Sequence, residues 1–233
     1  MVKVTFDYNL EKDAWSWVVI AKDRNVWGLN WRDQIAQIPD ELLVQIEKAG
    51  FAQAQAIVAE YIKKNVKTEY KNRVMRAEMR ALEESWGLVE EKYFEILADI
   101  MQKPIFQEGF DCYFTTGLMC PYDEKEGWFM VSMWHSVPFS ITTICHEIMH
   151  LQFLYYYRDY LEKNGLADEQ IEDLKEALTF LLNEPEFGGI ILSQDNGYPE
   201  HAELREALRD VWSKNKDFQN LLAEAVIIIK KDR

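Results

Sequence analysis

Val2, Val4 and Phe6 alternate with Lys3, Thr5 and Asp7, the period-two pattern of a half-buried strand. A segment bearing Trp15, Trp17, Trp27 and Trp31 follows, and its period is too weak to name an element. From Pro39 the period becomes helical. Leu42, Leu43 and Ile46 lead to Gly50, and a second helix is predicted over Ala52 to Lys64. Val74, Leu82, Trp86, Val89, Tyr93, Leu97 and Ile100 then recur at helical spacings, which predicts one long helix from Thr68 to Gln102, stopped by Pro104.

The middle of the chain changes character. The aromatic and β-branched runs 109–117 and 127–135 predict two strands joined by a loop. Pro138 and Ser140 open a helix whose apolar positions are Ile144, Ile148, Leu151 and Leu154, running to about Lys163 and stopping at Asn164-Gly165. Asp168 is the expected N-cap of another helix, Glu169 to Asn183, before Pro185. Pro199 starts a last helical pair, roughly 200–213 and 216–230. These elements make an α+β protein, mostly helical, with a small sheet. Two regions are expected, an N-terminal strand and helical region over 1–108 and a chemistry-bearing region over 109–233.

At 233 residues, 48% hydrophobic and 28% charged, the chain can bury a core of ordinary size without a metal or disulfide to hold it. A net charge of -14 opposes counterion release onto phosphates, so nucleic acid is not expected as a partner. Cys112, Cys120 and Cys145 form no CxxC pair and fit a reducing cytosol better than a disulfide framework, with Cys112 and Cys120 able to pair in an exported chain. No apolar h-region opens the chain and no apolar window reaches the length of a span, so the expectation is a cytoplasmic protein without a membrane partner.

Chemistry concentrates in Thr142-Thr143-Ile144-Cys145-His146-Glu147-Ile148-Met149-His150. His146 and His150 stand at i and i+4, so on a helix they project from one face and can chelate one ion. Neutral imidazoles suit zinc, and a catalytic site needs a third protein ligand and an open position. Glu147, about 100° around the helix from His146, is placed to take the proton from a metal-activated water. With four histidines in the chain, H-E-x-x-H arises by chance with a probability on the order of 1%. A buried helix has little reason to carry such residues unless something satisfies them.

The H-E-x-x-H helix preceded by strands resembles the zincin superfamily of metallopeptidases, over roughly 109–184. The metzincin extension fails, because Phe153 stands at its glycine position and Tyr156 at its third histidine. The gluzincin branch, typified by thermolysin, takes its third ligand from a glutamate on the next helix. Glu176-Ala177-Leu178-Thr179 looks like the run that carries it. The resemblance therefore implies a small zincin-like sheet before an active-site helix, an edge strand that binds extended peptide, and Zn2+ held by His146, His150 and Glu176. The family's aspartate, a partner for a zinc histidine one position after that run, is replaced here by Phe180, so its role falls to another residue or to none. A simple antiparallel hairpin would leave Glu176 short of the histidines by roughly 7 Å. Glu184 would stand nearer level and Glu172 shares Glu176's face, so both remain alternatives.

His201, in the first turn of a helix just after Tyr198, suits a donor to the developing oxyanion, and His135 could line the substrate cleft. The expected function is zinc-dependent hydrolysis of peptide bonds in a peptide or protein substrate, with Glu147 as general base. A zincin-like regulatory or binding module with little turnover, or a zinc hydrolase of another amide, are the alternatives. No particular oligomeric state follows from the sequence.

Overall fold

The computed structural model describes residues 2–22 and 38–231. Trp27 and Trp31 lie outside the described residues. The expected first strand forms as β1 (Lys3–Asp7), followed by helices α1 (Leu10–Lys22), α2 (Asp40–Lys48) and α3 (Phe51–Tyr61), the last running into a π-helical turn at Ile62–Val66. Then come α4 (Glu69–Gly87), α5 (Glu90–Met101), β2 (Gly109–Thr115), β3 (Tyr122–Asp123), β4 (Trp128–Ser132), α6 (Val137–Lys163) and α7 (Asp168–Leu178). Short 3-10 turns lead through Thr179–Asn183, Pro185–Phe187 and Pro199–His201 to α8 (Ala202–Lys214) and α9 (Phe218–Lys231). The class is α+β, mostly helical, with one small sheet. Among the described residues no helix is long and apolar enough to cross a membrane.

The sheet is mixed, in the order β1-β2-β4-β3. β1 and β2 pair in parallel with Val4 opposite Phe110, and β2 and β4 in parallel with Cys112 opposite Phe129. The residues of β4 are buried throughout, which is why its sequence is a continuous apolar run rather than an alternating one. The edge strand β3 is short and antiparallel to β4, with Tyr122 opposite Phe129. It grows out of the segment that reads as a plain loop in the sequence.

At the N-terminal side one segment gains an element and one expectation changes. The Trp-rich segment contains α1, whose buried residues, Asp13, Ala14, Ser16, Trp17, Val18, Ile20 and Ala21, leave no clean apolar stripe for periodicity to find. Asp13 fixes this helix to the end of β2, accepting from Thr115 Oγ1, Thr116 Oγ1 and the Thr116 amide, each at 2.8 Å, and from Tyr8 Oη. The long helix predicted over Thr68 to Gln102 is two helices broken at Leu88-Val89. Leu88 is 87% exposed there. Glu90, just beyond, is buried and accepts from the Val4 amide and Trp86 Nε1, so the break lets one carboxylate finish the edge of β1. β1, α4 and α5 share a core with α6, α7, α8 and α9, whereas α1, α2 and α3 gather around Trp17, Ile46 and Val58 in a second cluster.

α6 begins a little earlier than Pro138 and Ser140 suggest: Ser136 caps it, accepting from the Phe139 amide, and Pro138 lies in its first turn. Every residue from Ser140 to Leu154 is buried except His146, which is partly so. The helix ends in a Schellman motif, with Gly165 at φ 81°, the Gly165 amide on Glu162 O at 2.8 Å and the Leu166 amide on Leu161 O at 3.1 Å. That motif answers the hairpin objection. The chain at Leu166 is already back beside Leu161, not at the tip of α6. From Leu161 to His150 is roughly 16 Å of helix, and from Leu166 to Glu176, two extended steps and then helix, is roughly 18 Å. α7 starts at Asp168 with Ala167 as its N-cap, where Gln170 accepts from the Ala167 amide.

Candidate metal centre

His146 and His150 leave one face of α6 with ring centroids 4.1 Å apart. Glu176, from the last turn of α7, meets them: Oε2 lies 3.3 Å from His146 Nε2 and Oε1 lies 3.2 Å from His150 Nε2. One ligand atom from each of the three residues falls within 4.8 Å of the others, a group that could hold a metal ion. Glu184 and Glu172 do not join it. Glu184 is engaged by Trp212 Nε1 and Lys216, and Glu172 by Arg158 and Lys175.

The donor set fits a cation better than it fits itself. Gln152, buried one half-turn along α6, uses both ends of its amide, accepting from the Phe106 amide and donating to Pro104 O. His150, equally buried, makes no hydrogen bond at either ring nitrogen, and neither does Glu176 Oε2. Buried polar atoms left so are costly unless a ligand satisfies them. Burial pushes His150 down to about 3, against the pull of Glu176, so its imidazole is neutral with a lone pair to offer. Burial acts to raise the Glu176 carboxyl, and His150, Lys175 and His146 around it more than reverse this and hold it well below the usual range.

His146 is oriented from behind. Its Nδ1 lies 2.6 Å from Asp195 Oδ2, the carboxylate-on-histidine arrangement that fixes which ring nitrogen faces a metal. Asp195 is itself buried and anchored. Oδ1 accepts from Thr179 Oγ1 at 2.8 Å and Arg205 Nη2 at 3.0 Å, while its backbone is clamped by Asn183 on both sides. Burial opposes ionisation of Asp195, but His146, Arg205 and Thr179 keep its carboxyl below the ordinary value. The carboxylate beside His146 thus comes from a loop, fifteen positions after Phe180. Phe180 itself is buried in the core.

Glu147 is buried beside the cluster and pushed up to about 8, first by burial and then by Glu176 and Asp195, with His146 and Lys175 opposing. A bound cation acts in the opposite direction. With His146, Glu147 and Glu176 as its floor, a cavity of about 560 Å³ opens to one side. Its walls are mostly apolar: Trp15 and Val19 from α1, Leu118, Met119, Tyr122 at the edge strand, and Phe139 from α6. His135 is on this wall too, its ring against Phe139, and burial lowers it to about 4. Tyr198 also lines the cavity, and burial, reinforced by Glu176 and Glu147, raises its phenol so that it stays a proton donor.

His201 is placed differently from the expectation. Its ring is buried with Nε2 3.0 Å from Asp173, and it is not among the residues lining the cavity, where Tyr198 stands instead. A 3-10 turn over Pro199–His201 sends the two side chains to different surroundings, their rings 6.0 Å apart. Sequence reasoning also missed Asp195 and Lys175. Asp195 carried one faint signal, the Asn196-Gly197 turn after it. Gly197 has φ 63°, and a Cβ there would fall 2.5 Å from Arg205 Nη1, so glycine is what lets Arg205 reach Asp195.

Comparisons of the chain with protein-family models, with curated proteins and with solved structures found no match.

Proposed function

We propose that this protein is a zinc-dependent hydrolase of peptide bonds, with His146, His150 and Glu176 as metal ligands and Glu147 as general base. The observation that carries the reading is the convergence of buried, unbonded donor atoms on His150 and Glu176 with His146, at the floor of a cavity that Glu147 also faces. Two imidazoles and one carboxylate are a donor set that suits a catalytic zinc ion, and Glu147 beside them as a base points to hydrolysis. When bound there, the ion supplies Lewis-acid polarisation of a carbonyl and makes water a stronger acid at neutral pH.

The chain's own groups do the rest. Glu147 takes a proton from water as the water oxygen bonds to the carbonyl carbon, and delivers it to nitrogen as the C–N bond breaks. Tyr198 donates toward the carbonyl oxygen as negative charge grows on it. An extended peptide lies along β3, an edge strand of the sheet, which reaches the cavity at Tyr122. Asp195 keeps Nδ1 of His146 engaged, so that Nε2 faces the ligand cluster.

Metal analysis of the purified chain and of H146A, together with peptide hydrolysis by wild type and Glu147→Gln, tests the proposal. Wild type is expected to bind one zinc and cleave. Glu147→Gln is expected to keep the zinc and lose hydrolysis by at least about a hundredfold, and H146A to lose the metal. A wild type that takes up no stoichiometric zinc after loading, or a Glu147→Gln variant as active as wild type, sinks the reading.

A further inference from the structure

Lys175 is a deeply buried charge that the hydrolytic reading leaves without a task. It is only 2% exposed. Its Nζ lies 3.1 Å from Glu176 Oε1, 2.8 Å from Glu172 Oε2 and 2.8 Å from Tyr122 Oη. Taking an ammonium out of water costs several kcal/mol, which an apolar side chain of similar length would avoid. A simple tie between α7 and β3 would be complete with Glu172 and Tyr122 alone. Contact with Glu176 is the part such a tie does not need.

The two oxygens of Glu176 are unequal. Oε1, 3.2 Å from His150 Nε2, also has the ammonium beside it, whereas Oε2, 3.3 Å from His146 Nε2, makes no hydrogen bond. We propose that Lys175 is a positioning residue of the metal centre: it occupies Oε1, so that Glu176 presents a single oxygen, Oε2, to the metal and the centre keeps a coordination position open for water. The inference rests on reading His146, His150 and Glu176 as metal ligands. Three protein donors with one open position characterise catalytic zinc sites, and a fourth protein donor closes them. An unpaired ammonium this close would repel a cation, and Glu172 offsets that charge at 2.8 Å. Glu172, one of the alternative ligands in the sequence, thus acts on the site through Lys175. Tyr122, whose ring centroid is 6.0 Å from that of His150, places the end of the relay on the cavity wall.

The test uses the full chain loaded with Co2+, whose visible absorption is intense when four-coordinate and weak when five-coordinate. Wild type is expected to give the intense spectrum. Lys175→Met, which keeps length and removes the donor, is expected to bind Co2+ with a severalfold weaker band as both carboxylate oxygens engage, and Lys175→Arg to return toward wild type. An unchanged spectrum in Lys175→Met overturns the proposal while leaving the metal centre standing. Should Lys175→Met not fold, a structure of the zinc-loaded wild type decides: one Glu176 oxygen at bonding distance supports the proposal and two overturn it. A wild type that binds neither Co2+ nor Zn2+ fails the metal reading itself, and the proposal with it.

Discussion

Replacing Asp195 with asparagine keeps the shape of the side chain and removes its charge, which isolates the electrostatic support behind His146. The carboxylate accepts at both oxygens, from His146 Nδ1 at 2.6 Å on one side and from Thr179 Oγ1 and Arg205 Nη2 on the other. An amide has one acceptor end. If the carbonyl faces His146, the NH2 group confronts two donors, and if it faces Arg205, His146 loses its acceptor. Arg205 is buried and keeps only Asp195 O, Thr179 and Glu176 O as partners. Breaking a buried ion pair costs about 3–5 kcal/mol, and those remaining acceptors put Asp195→Asn near about 3 kcal/mol in urea unfolding of the metal-free protein. Metal affinity should fall separately, by roughly 10–100-fold, the usual effect of removing a partner behind a ligating histidine. Zinc competition with a chelator reads that second quantity directly. A folded Asp195→Asn protein whose zinc dissociation constant stays within about twofold of wild type would refute the claim that Asp195 orients His146.

Gly197→Ala places a Cβ against Arg205 Nη1 and puts a non-glycine residue at φ 63°. It should cost about 1–3 kcal/mol and weaken zinc binding in the same direction as Asp195→Asn; a variant with wild-type stability and affinity would show that Arg205 has slack. His135, lowered to about 4 by burial, binds a proton more readily unfolded than folded between that value and about 6.5. Stability should therefore be full above about 6.5 and fall as pH drops toward 4. His135→Asn should flatten that part of a urea-stability profile, and an unchanged slope would mean that His135 does not titrate there.

The helices that place the site were legible because their signals are local. Pro138 marks the start of α6, Gly165 ends it, and the i, i+4 spacing of His146 and His150 needs only a helix to align the rings. α1 was not legible, since a helix buried on most sides has no stripe, and its one sharp feature, Asp13, is explained only by Thr115 and Thr116 across the fold. The break at Leu88-Val89 was hidden for a similar reason. Its cause is the demand of Glu90 on β1, far away in sequence.

From the amino-acid order alone follow the class of the fold, the pair of histidines, the glutamate between them and a short set of candidates for the third ligand. Helical periods and caps act over a few residues, so they can be read along the chain. Tertiary structure brings Glu176, and not Glu172 or Glu184, to the two histidines, because the return of the chain at Leu166 sets how far α7 climbs beside α6. It likewise brought Asp195 behind His146, Lys175 onto Glu176 and Tyr198 rather than His201 to the cavity. Each of these depends on where a side chain from one element meets another in space, and burial there, not spacing along the chain, determines which polar atoms are satisfied and which are left for a ligand.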